Sequence, residues 1–98
     1  MNTESVARYF EGRTVQIEGY KVETEKAIIS SYINHITFHF NVSTLAGNYL
    51  LKTSVGVDNV DKLSVQELYT EISNQIQEAV GSQTTTNIEL ARYFKEDK

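Results

Sequence analysis

Two histidines, His35 and His39, stand four residues apart, the spacing at which helix side chains share a face and can hold one divalent metal. The residues around them deny the helix. Ile36, Phe38, Phe40 and Val42 alternate with Thr37, His39 and Asn41, which is the period of a strand. Along a strand the two imidazoles lie about 13 Å apart, too far for one ion to bridge. They read as solvent-facing strand residues. Asp58-Asn59-Val60-Asp61 offers oxygens for calcium but lacks the alternating ligands, central glycine and terminal glutamate of an EF-hand loop. It reads as a polar connection from strand to helix.

Glu18, Glu23 and Glu25 raise the possibility of paired carboxylates for acid–base work, with Lys21 and Lys26 beside them. Mixed charge at this spacing is ordinarily a solvated strand face. No serine stands in a nucleophile-elbow sequence, and the five glycines form no phosphate-cradling loop. There is no cysteine, which removes disulfides, thiolate metal sites and thiol nucleophiles together. No catalytic, cofactor-binding or metal-ligating residue is therefore assigned. A small enzyme using strand-face Glu or His is the least favoured reading.

The elements that would carry such residues are legible in the pattern. Residues 4–11 form a short helix with Val6 and Phe10 on one face, stopped by Gly12. From Thr14 the period is two, and the phase slips at Gly19, so one bent strand or two short ones fit residues 14–24. Ile36–Val42 is the clearest strand, with a start as early as Ile28. It pairs as a hairpin with the alternation Tyr49, Leu51, Thr53, Val55 and Val57 across Ala46-Gly47-Asn48.

The helix from Val65 is the best specified. Ser64 and Glu67 have capping-box spacing, and Leu63 can staple to Leu68. Val65, Leu68, Ile72, Ile76 and Val80 run down one face, and Leu68, Ile72 and Ile76 are expected to bury against Ile36, Phe38 and Phe40. Gly81 is expected to end it. A short polar loop over residues 82–86 then leads to a last helix opened by Thr86 and Glu89, with Leu90 and Phe94 on one side. The order is α-β-β-β-α-α. The expectation is a single α+β domain over residues 1–98, an antiparallel sheet of three or four strands with helices packed on one face.

The α-β-β-β-α order is also that of the double-stranded RNA-binding domain, whose last helix opens with lysines that grip phosphates. Here that helix begins Ser64-Val65-Gln66-Glu67 and holds no Lys or Arg through Val80. Acids in those places would repel a nucleic-acid backbone, and direct nucleic-acid binding is excluded on that ground. No apolar run approaches the roughly 20 residues of a membrane span. The N-terminal residues have no basic and apolar leader pattern, so the chain is expected to be cytoplasmic with no membrane partner.

Two features point to partners. The whole net charge of −4 lies in residues 58–80, where Asp58, Asp61, Glu67, Glu71 and Glu78 face only Lys62. Glu71 and Glu78 are the candidate contacts on this face, because Glu67 is committed to its cap. Ala7-Arg8-Tyr9-Phe10 also recurs as Ala91-Arg92-Tyr93-Phe94. Either both copies bury a phenylalanine, or Arg8, Tyr9, Arg92 and Tyr93 form one contact surface, both residue types being common at binding hot spots. Six tyrosines and four phenylalanines exceed what one modest core needs. The expected function is a small non-enzymatic binding or regulatory protein that acts through protein–protein contacts and self-associates, a net charge of −4 being mild for a nucleic-acid mimic. The alternative is an acidic inhibitor that occupies a basic nucleic-acid-binding site of another protein.

Overall fold

The computed structural model describes the backbone of residues 1–30 and 32–96 and the side chains of residues 1–30 and 32–82. Helix α1 spans Thr3–Phe10, and the strands are β1 Thr14–Ile17, β2 Tyr20–Ser30, β3 His35–Thr44 and β4 Tyr49–Val57. A single 3₁₀ turn, Val60–Lys62, precedes helix α2, Val65–Glu96. The strands form one antiparallel sheet in the order β1-β2-β3-β4. The fold is α+β, with helices on one face of a four-stranded meander.

Period-two alternation decides which face is buried. Val22, Ile36, Phe38, Phe40, Val42, Val55 and Val57 point inward and exclude solvent almost completely. Thr37, His39, Asn41, Lys52 and Ser54 lie between them in sequence and point outward. Leu68, Ile72 and Ile76 join the inner residues in one core, as the 3.6-residue stripe requires. The two helices divide the sheet. Helix α1 lies along β2 and β3, with Phe10 edge-on to Phe38 at 5.0 Å, while α2 lies along β4.

Three expectations need correction. The phase slip at Gly19 is a hairpin turn: Ile17 pairs with Tyr20 across Glu18-Gly19, and a two-residue loop returns both to one face. The bulge lies further on, at Thr24/Lys26, and lets Ala27 and Ile29 rejoin the inner face. Ile28 belongs to β2 and not to the start of β3, because Asn34, in the left-handed region at φ 49°, turns the chain before His35.

The third correction concerns Gly81. Helix α2 runs through it and through residues 82–86 without a loop, so the two expected helices are one. A glycine ends a helix by adopting positive φ, and Gly81 does not. In right-handed geometry it costs about 1 kcal/mol relative to alanine, which slows propagation without forbidding it.

Candidate functional site

The inner layer is not filled between the helices. Helix α1 stands on β2 and β3, and α2 approaches from β4, leaving a groove of about 610 Å³ over β1. Val15 and Ile17 form its floor, Val6, Tyr9 and Phe10 one wall, and Val65, Leu68, Tyr69 and Ile72 the other. The lining is almost wholly apolar, with Asn2, Ser5 and Gln16 the polar exceptions. Its rim is exposed in an uncommon way. Val65 is 73% exposed, Tyr9 52% and Tyr69 38%, all around a single concavity.

Local sequence holds both walls in place. Ser64 Oγ accepts from the Glu67 N–H at 3.1 Å, and Glu67 Oε1 accepts from the Ser64 N–H at 3.0 Å, closing the expected capping box. These bonds hold the Glu67 carboxyl below its ordinary 4.5. With the helix start fixed, Val65 is its first residue and must face outward over the groove. The far side is latched by Glu18, whose backbone is left-handed at φ 53°. Its N–H donates to the Tyr69 hydroxyl at 3.2 Å, and its Oε1 accepts from Ser73 Oγ at 3.2 Å. On the opposite flank of α2, the Gln75 amide accepts from the Gly56 N–H at 3.3 Å and donates to the Gly56 carbonyl at 2.8 Å. That pair occupies backbone groups on the outer edge of β4.

On the other wall, Asn2 Oδ1 accepts from the Ser5 N–H and starts α1. Arg13 Nε donates to the Tyr9 carbonyl at 2.8 Å, and its guanidinium lies 4.3 Å from the Tyr9 ring centroid. This cation–π contact fixes an exposed ring at the groove rim.

The candidate contacts read from the sequence do not gather at one surface. Tyr9 lines the groove, whereas Arg8 points away and reaches Glu4 at 3.7 Å, both well exposed. Glu71 and Glu78 are exposed on α2, and none of the described ion pairs includes them. At 100° per residue, Glu71 and Tyr69 lie about 160° apart around the helix once counted from the buried stripe. The acidic face and the groove are therefore on opposite flanks. The side chains of Arg92 and Tyr93 lie outside the described residues. Val65, placed by its periodicity on the stripe with Leu68, Ile72 and Ile76, is 73% exposed instead, because as the first residue of α2 it overhangs the groove. Tyr69 was the residue missed, although its i,i+4 spacing from Val65 marks a second apolar face.

The outer sheet face carries the polar groups that could do chemistry. His35 Nδ1 contacts Asp58 Oδ1 at 2.6 Å and its Nε2 contacts Thr37 Oγ1 at 3.0 Å. A carboxylate only accepts, so Nδ1 bears a proton, and in the neutral ring Nε2 then accepts from the threonine hydroxyl. This order resembles a hydrolytic triad, but none of these three residues lines a described cavity. His39 has a separate partner, Ser54 at 3.1 Å. Among the described residues no three His, Asp or Glu side chains gather to hold a metal.

Glu23 and Glu25 both accept from Asn41 Nδ2, at 3.2 and 2.9 Å, and Lys52 Nζ lies 3.3 Å from Glu25. The Asn41 hydrogen bond, with Lys52, lowers the Glu25 pKa and keeps it ionised, the wrong state for a general acid. Glu18 is spent on α2. The three carboxylates do not form one site.

No helix among the described residues is long and apolar enough to cross a membrane. Comparison with known proteins finds no matching family model, no curated relative and no similar solved structure.

Proposed function

We propose that the chain is a small, non-enzymatic, regulatory binding protein of the cytoplasm whose groove takes an amphipathic helix from a protein partner. The observation that carries this reading is the exposed rim of Tyr9, Val65 and Tyr69 around an apolar concavity of about 610 Å³. An apolar stripe at i, i+3 and i+4 is the chemistry that fits such a groove. Glu67, Glu71 and Glu78 lie on the other flank of α2, so charge bears on the approach of a partner and not on its seating in the groove.

The test is selection of displayed amphipathic helical peptides against the full chain, followed by binding of the recovered peptides to two variants. Val65→Asp places a charge on the rim, at a first-turn position where the helix dipole favours an acid. Lys52→Glu alters the outer sheet face. At least a tenfold loss on Val65→Asp with no change on Lys52→Glu is expected. Peptides that bind Val65→Asp as well as the parent chain, or recovery of no peptides by a chain that is monomeric, would remove this reading.

The acidic-inhibitor reading draws on one separate observation, the exposure of Glu71 and Glu78 without a described ion pair. It makes the opposite flank of α2 the contact. Glu71→Lys with Glu78→Lys would then flatten the salt dependence of partner binding, whereas groove docking leaves affinity dominated by Val65 and Tyr69.

A further inference from the structure

Helix α1 already shows which residue pattern this sheet accepts. Val6 and Ala7 are buried, Phe10 packs edge-on to Phe38, and Tyr9 stays at the groove rim under Arg13. The pattern is an apolar residue followed by Ala-Arg-Tyr-Phe, with the core-facing side chains at i, i+1 and i+4. The same five positions recur as Leu90-Ala91-Arg92-Tyr93-Phe94, again within a helix. A stripe of Leu90, Ala91 and Phe94 is the counterpart of Val6, Ala7 and Phe10.

That second copy cannot reach its own groove. Tyr69 and Ala91 belong to one unbroken helix, and 22 residues of it separate them by about 33 Å. We propose that the groove between α1 and α2 receives the Leu90–Phe94 segment of a second copy of this chain, in a reciprocal dimer built on antiparallel α2 helices. The proposal rests on the helix-binding reading above and names its partner.

The register follows from the two-fold axis. If Tyr69 of one copy stands beside Ala91 of the other, the axis crosses α2 at residue 80, midway between them. Gly81 is a small residue beside that crossing. Among the described residues, an added Cβ at Gly81 would meet nothing within 4 Å. A glycine inside a helix, otherwise a poor choice, allows two backbones to approach closely there. Neither groove is filled unless both copies contribute.

Sedimentation equilibrium of the full chain tests this. At tens of micromolar the parent chain is expected at twice its 11.1 kDa, and Val65→Asp and Phe94→Asp each at 11.1 kDa with unchanged helical circular dichroism. A parent chain that remains at 11.1 kDa, or a dimer that survives either substitution, overturns the proposal. The absence of native cysteine permits a second test that does not depend on Phe94→Asp folding. Mixing a Val65→Cys chain with a Tyr93→Cys chain under mild oxidation is expected to give a mixed disulfide dimer, and neither chain alone should link to itself. Self-linked products without the mixed one overturn the proposed register and the dimer with it. The two readings separate cleanly. A monomeric parent chain whose selected peptides still lose tenfold on Val65→Asp ends the second-copy proposal and leaves the helix-binding groove standing. No peptide binding and no dimer ends both.

Discussion

The two faces of the sheet come from the same strands and differ in what remains to be satisfied. On the outer face, polar groups are largely matched within the chain: His35 with Asp58 and Thr37, His39 with Ser54, and Glu25 with Asn41 and Lys52. A partner there would have to replace interactions already made, and net gain would be small. On the inner face, the groove leaves Tyr9, Val65 and Tyr69 partly in water. Covering apolar surface of this kind yields roughly 25 cal/mol per Å², with no polar bond broken first. The chemically richer face is thus the poorer docking surface.

Adjacent residues of β3 give the widest separation between the faces. Phe38→Ala empties a fully buried site against Phe10 and Phe40 and is expected to cost about 3–5 kcal/mol in denaturant titration. A much smaller loss would mean that α1 does not pack as described. The Gln75 amide closes the β4 edge, and Gln75→Ala leaves two part-buried groups of Gly56 without that partner. A loss of about 1–3 kcal/mol is expected, with faster amide exchange at Gly56.

Ser64→Ala removes the cap that orients Val65 and Tyr69, at an expected cost of about 1 kcal/mol in the same titration. The Glu67 half of that box has a pH signature. Its folded pKa is lowered, so its stabilisation is present above the ordinary 4.5 and is lost as pH falls through the folded value. The stability difference between the parent chain and Glu67→Gln should therefore shrink in the acid range below pH 4.5. The smallest effect belongs to the outer face. Lys52→Ala breaks an exposed ion pair with Glu25 and is expected to leave the thermal midpoint within error.

Strong local signals made much of this architecture readable from sequence. The capping box at Ser64 and Glu67, the period-two run Ile36–Val42 and the stripe Leu68–Ile72–Ile76 each depend on residues close in the chain, and each appears in the structure. Errors arose where one residue serves more than one geometry. Gly19 fits a bulge or a two-residue turn, and pairing of Ile17 with Tyr20 decides for the turn. Gly81 fits a cap or a helix interior, and its φ decides for the interior.

The groove was less legible because its walls are brought together only by tertiary packing. Val15, Tyr9 and Val65 are far apart in sequence, and each alone is an ordinary surface or edge residue. The charge of residues 58–80 drew notice instead, since it is contiguous in the chain. The flank of α2 that lines the concavity carries none of those glutamates.

The most direct test uses the full-length Phe94→Asp chain, whose groove the reciprocal arrangement would leave empty. A synthetic peptide of residues 87–98 is titrated into it while backbone amide shifts are recorded. Movement is expected at Val6, Tyr9, Val15, Ile17, Val65 and Tyr69, with Thr37, His39, Asn41 and Ser54 unmoved. Shifts confined to the outer sheet face, or no shifts at saturating peptide, would contradict groove docking.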